Sequence, residues 1–148
     1  MEMKNAQVFK EIIINAPRKR VWEVFSELEK WPEWSNYALK TYWTSEKKWA
    51  LGSRFVQLLK GVFFLKKLKS NPTIIEIKPA AYVTWIGSRV VIKGKHTLIF
   101  EDAGSKTRVI NKESFTGILA IFIVPFIKKR FNYHFEQFLI GLKKKCEG

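Results

Sequence analysis

Cysteine is nearly absent from this chain of 148 residues: Cys146 stands alone, two residues from the end, so no disulfide can form within the chain. That fits a reducing compartment. There are two histidines, His96 and His134, and no acidic cluster at ligand spacing beside either, so a metal site is not expected. Cys146, in a lysine-rich tail with no base paired to it in sequence, is a poor nucleophile. Five prolines and eight glycines fall singly, marking turns without forming a linker, repeat or low-complexity tract. The longest apolar run, Ile118 to Ile127, spans roughly ten residues and is broken by Pro125, whereas a membrane-crossing helix needs about 20. The opening Met1-Glu2-Met3-Lys4-Asn5 leads into no apolar signal core. These absences predict a soluble, cytoplasmic protein of one domain over residues 1–148, long enough to bury roughly two-thirds of its unfolded surface. Acidic residues are also short, at 13 Asp and Glu against 27 Lys and Arg; the net charge of +14 favours an acidic surface, an anionic ligand or nucleic acid as partner.

Aromatic residues are plentiful, with twelve Phe and six Trp. They fill cores and line large cavities equally well. In the last thirty residues the run from Ile118 to Ile127 continues into Phe131, Phe135, Phe138 and Leu142, a stripe on one helical face. This predicts a long helix, greasy all round at its start and therefore wrapped by other elements, kinked or begun afresh at Pro125. Val8 to Asn15 reads as a strand. Ala16-Pro17 opens a helix carrying Val21, Val24, Phe25 and Leu28, and Trp31-Pro32-Glu33-Trp34 breaks it and permits only a short second one. Six further strands are expected near 37–43, 54–60, 70–78, 81–87, 91–102 and 107–117, separated by turn residues that imply an antiparallel meander. The fold class is α+β: a curved, seven-stranded antiparallel sheet around a long C-terminal helix, with two short helices after the first strand.

That order of elements, the Asn15-Ala16-Pro17 turn followed by Val21-Trp22-Glu23-Val24-Phe25, the Trp31-Pro32-Glu33-Trp34 knot, and Gly104-Ser105-Lys106-Thr107-Arg108-Val109 leading to Glu113-Ser114-Phe115-Thr116-Gly117 resemble the polyketide cyclase/dehydrase and lipid transport group of the START superfamily. The resemblance covers almost the whole chain. It implies the helix-grip fold shared with birch pollen allergen, and a hydrophobic cavity between sheet and long helix that holds lipids, sterols, hormones or polyketides; a minority of members catalyse. The glycine-rich loop of the plant allergen branch is missing, with only Gly52 and Gly61 in that region, which weakens a plant-type phosphate or hormone reading.

Strand alternation places Ile92, Gly94, His96, Leu98 and Phe100 on one face and Val109, Asn111, Glu113 and Phe115 on the matching face of the next strand. A tight hairpin at Ala103-Gly104 sets His96 opposite Asn111; slippage sets it opposite Glu113. Either register leaves His96, Asn111 and Glu113 within reach on an apolar wall, where His96 and Glu113 form a candidate acid/base pair. The same residues suit mutual hydrogen bonding in a roomy core. The cavity walls expected are Phe25, Trp34, Phe55, Trp85, His96, Leu98, Phe100, Asn111, Glu113, Phe115, Phe122, Phe126 and Phe131. His134 sits on the shoulder of the helical stripe and reads as structural. Phe63, Phe64, Lys66 and Lys67 combine bulky apolar and cationic side chains, a pattern suited to touching an anionic membrane surface. Nucleic acid is disfavoured, because most aromatics follow buried spacings and do not alternate with exposed cations.

The leading expectation is a carrier of a hydrophobic small molecule such as a lipid, polyketide or other polycyclic compound, with no cofactor. The alternatives are a small cyclase- or hydrolase-type enzyme using His96 and Glu113, and a membrane-surface module using the loop from Phe63 to Lys69. Oligomeric state is not legible.

Overall fold

The computed structural model describes residues 7–61, 66–88 and 93–148. Strand β1 (Gln7–Ile14) is followed by helix α1 (Arg18–Ser26), a single 3-10 turn (Leu28–Lys30) and the one-turn helix α2 (Trp31–Trp34). The apolar spacing of α1 buries Val21, Val24 and Phe25. Its last carbonyls, which have no partner inside the helix, are met by indoles: Trp31 Nε1 donates to Phe25 O at 2.7 Å and Trp49 Nε1 to Ser26 O at 2.7 Å. Tryptophan therefore closes the helix and packs beneath it at the same time.

Strands β2 (Ala38–Trp43), β3 (Phe55–Lys60) and β4 (Lys67–Ser70) form one antiparallel sheet. β5 (Thr73–Lys78), β6 (Tyr82–Ser88), β7 (Lys93–Ala103) and β8 (Lys106–Thr116) form a second with β1, in the order β1-β8-β7-β6-β5. The strand expected over 70–78 is thus divided at Asn71-Pro72, giving eight described strands in two sheets. Proline has no donor for the ladder, and the carbonyl of Pro72 turns to accept from Phe55 N at 3.3 Å. The sheets remain joined, since Ile74 N donates to Ser53 O at 2.9 Å and Arg54 bridges Thr73. A register shift between Ile74 and Glu76 bends β5 beside the join, and another between Ala38 and Lys40 bends β2 at its far end.

Gly117, at φ +126°, turns the chain out of β8 toward α3 (Ala120–Glu147), 28 residues and about 42 Å long. The curved surface and this helix make the helix-grip architecture. α3 continues through Pro125, so of the two outcomes the sequence allows there, a kink or a fresh start, the helix is not begun afresh. Its far end is held to β1: Lys143 Nζ donates to Ile13 O at 2.8 Å, and Asn15 N donates to Glu147 Oε1 at 3.1 Å. Phe135, Leu139 and Leu142 are buried there, while Ala120 and Val124 are the large helix's buried contacts near its start. The expected all-round wrapping of that start is not found, because Ile118, Phe122 and Phe126 stay exposed. No helix among the described residues is long and apolar enough to cross a membrane.

Candidate functional site

The β7–β8 hairpin turns on Gly104 and Ser105, with Ala103 paired to Lys106. Gly104 has φ +66°, as the first position of a type II′ loop requires. Centring the turn one residue later than Ala103-Gly104 sets the register: His96 faces Glu113, and Leu98 faces Asn111. Of the two registers open to the sequence, the second is the one formed. Asn111 still reaches His96 diagonally, its Oδ1 accepting from Nε2 at 2.5 Å.

His96 is held on all sides. Its ring stacks on Phe135 at 4.8 Å and 8°, and Trp85 closes on it at 4.7 Å. Donation through Nε2 leaves the lone pair on Nδ1, which looks toward Glu113 Oε2 at 3.8 Å. That separation exceeds hydrogen-bond range, so both groups keep capacity for a third atom. The two side chains are 13% and 18% exposed. Burial drives the His96 pKa down to about 4, against the opposing pull of the Asn111 hydrogen bond. Burial likewise pushes Glu113 up to about 8. At neutral pH the pair is a protonated carboxyl beside a neutral imidazole, because each is cheaper to bury uncharged. Gly94 makes room for it: a Cβ there would lie 2.4 Å from Glu113 Oε1.

Around the pair is a cavity of about 360 Å³ that opens to solvent between the two sheets and α3. Glu113, Phe115, Phe131, Leu68 and Gly94 line its wider part, and Tyr37, Gln57, Leu59 and His96 continue into a narrow deep end. The deep end holds about 20 Å³, room for one water. Trp31, Trp85, Leu98, Asn111, Phe135 and Phe138 fill the rest of it. The cavity is self-filled inside and open outside.

Of the expected walls, Trp85, His96, Leu98, Asn111, Glu113, Phe115 and Phe131 line these spaces. Phe25, Phe55 and Phe100 instead form solid core behind them, packed with Trp22, Trp31 and Trp49. Trp34 packs on Phe138 at 5.0 Å and stands outside the lining. Phe122 and Phe126 are not walls: they are 67% and 76% exposed. Phe63, Phe64 and Ile92 lie outside the described residues, while Lys66 and Lys67 are exposed. His134 is buried, stacked on Tyr37 at 4.6 Å with Nε2 donating toward Gly61 O at 3.4 Å. Trp31, Tyr37, Gln57, Leu59, Leu68, Phe135 and Phe138 are among the lining residues that sequence reasoning missed. For Gln57 and Leu59 the alternation with Phe55 along β3 carried the signal, but Gln57 reads as an outward residue until the position of the cavity is known.

The sequence profile of the family described as polyketide cyclase / dehydrase and lipid transport matches residues 5–147. Comparison with curated proteins found no significant match. Among solved structures, a START superfamily protein of Mycobacterium smegmatis is similar at TM-score 0.78 and 12% identity, over 95% of this chain and 97% of that one. A Thermus thermophilus protein is similar at TM-score 0.77 and 18% identity, over 95% and 96% of the two chains. The di-domain ARO/CYC protein BexL, from a biosynthetic pathway, matches at TM-score 0.74 and 15% identity, over 95% of this chain and 46% of its own. At such identities these likenesses speak for the fold.

Proposed function

Because this chain belongs to the polyketide cyclase/dehydrase and lipid transport family, we propose that it binds a hydrophobic small molecule carrying at least one polar oxygen. The observation that supports this is the open cavity of about 360 Å³, walled by Leu59, Leu68, Phe115 and Phe131 and ending on His96 and Glu113. Apolar contact contributes most of the affinity, at about 25 cal/mol per Å² removed from water. The protonated Glu113 donates to a ligand oxygen, and the free lone pair of His96 Nδ1 accepts from a hydroxyl. A ligand with a fused-ring or acyl body and a hydroxyl or carbonyl group meets both demands.

A second reading, cyclase-type chemistry, is favoured by one feature: Glu113 holds a transferable proton at neutral pH beside a neutral base, the arrangement general acid/base catalysis uses. One experiment addresses both. Native mass spectrometry of freshly purified protein is expected to show a discrete non-covalent adduct that extracts into organic solvent, and a naphthol is expected to quench tryptophan fluorescence saturably through Trp85. Glu113→Gln keeps that quenching under both readings, and abolishes conversion of the extracted compound only under the second. A clean apo mass together with no saturable quenching would overturn the binding reading.

A further inference from the structure

The first turns of α3 leave their largest side chains uncovered. Phe122 and Phe126 are 67% and 76% exposed, four residues apart and so on one helical face, and Ile118, 85% exposed in the turn just before the helix, extends the patch with Leu119 and Ile121. Soluble proteins rarely leave such contiguous apolar surface without a use for it. Immediately behind the face stand Lys128, Lys129 and Arg130, and across the cavity mouth Lys66 and Lys67 are exposed. Among the described residues, none of the ion pairs involves any of these five cations.

The same end of the molecule is almost free of acid. The pairings Lys60↔Lys67, Ser88↔Lys93 and Lys93↔Thr116 bring the ends of β3, β6 and β8 and the starts of β4 and β7 to one edge, from which α3 departs. Residues 47–75, 77–100 and 114–135 contain no Asp or Glu. Glu113 lies inside the cavity and holds its proton at neutral pH.

We propose that this end docks on an anionic lipid surface, with Ile118, Phe122 and Phe126 entering the headgroup region and Lys66, Lys67, Lys128, Lys129 and Arg130 meeting lipid phosphates. An apolar stripe flanked by cations is what such a surface selects. A second copy of the chain fits poorly, since a two-fold contact through this face would set Lys128, Lys129 and Arg130 against their own counterparts with no acid to offset them. Docking would also bring the cavity near the bilayer, because Phe131 of the same helix lines it. The surface lies on α3, apart from the segment 63–64 to which the sequence drew attention. The proposal goes beyond ligand binding, which can persist when docking fails.

The test is co-sedimentation with phosphatidylcholine vesicles, with and without phosphatidylserine. The protein is expected to partition about tenfold better onto the anionic vesicles, and less as salt rises. Phe122→Ser with Phe126→Ser should lower that partition about tenfold without changing the circular-dichroism melt, since both side chains are exposed. Lys128→Glu with Lys129→Glu should remove the preference for phosphatidylserine. Equal pelleting of the wild type and the serine pair would overturn the proposal. So would a dimer by light scattering that the serine pair splits into monomers, which would assign the face to a second copy.

Discussion

Glu113 carries a proton where a surface glutamate would not, and the cause is burial without a cation to compensate it. Folding therefore takes up a proton at this residue between its unfolded value of 4.5 and about 8, so its contribution is fully present below 4.5 and is lost as pH rises through 8. His96 works in the opposite sense: it is charged below 6.5 when unfolded and only below about 4 when folded, so its contribution grows from pH 4 to 6.5. The two slopes offset each other between 4.5 and 6.5 and leave Glu113 alone from 6.5 to 8. Thermal unfolding should accordingly show stability falling by up to about 2 kcal/mol across that last window. Glu113→Gln should flatten the decline; an identical slope in that variant would remove Glu113 as its source. The sequence showed that His96, Asn111 and Glu113 share a wall. It could not show which of them is opposed to His96, because that turns on whether Gly104 is the second or the first residue of the loop.

At the scale of elements, the crossing of α3 over α2 depends on one missing side chain. A Cβ on Gly141 would fall 2.1 Å from the Trp34 carbonyl oxygen, a backbone atom with no freedom to move aside. Alanine is the better helix former by about 1 kcal/mol, but overpacking against backbone outweighs that gain. Gly141→Ala should thus destabilise the protein by about 2 kcal/mol, read by urea unfolding; unchanged or increased stability would show that the two helices are not in close contact. The periodicity of α3 was legible from Phe131 to Leu142, where every stripe residue is buried. It misled from Ile118 to Phe126, because an apolar run reports affinity for a nonaqueous neighbour and not which neighbour supplies it. Asn71-Pro72 are turn residues inside the strand expected over 70–78, but nothing in them announced a change of sheet, since a missing donor ends a ladder without saying what the chain pairs with next.

The whole molecule carries +14, and its exposed ion pairs are few among the described residues. Like charges crowd one another in the compact state, and salt screens that repulsion over about 10 Å at 0.1 M. Raising sodium chloride from low to near-physiological strength should therefore raise the melting temperature by about 2–4 °C, of order 1 kcal/mol; a fall would mean that surface ion pairs outweigh the net charge. The sequence by itself determined the element order, the antiparallel character of the strands and the inward face of the hairpin, because these follow from local periodicity and turn chemistry. The tertiary structure alone decided which aromatics are core and which are wall. Phe55 and Phe131 were both expected as walls, yet one is sealed against Trp31 and Trp85 and the other borders an open cavity. It also decided that Glu113 keeps its proton and that Phe122 and Phe126 face outward, since desolvation and exposure are set by neighbours distant in the chain.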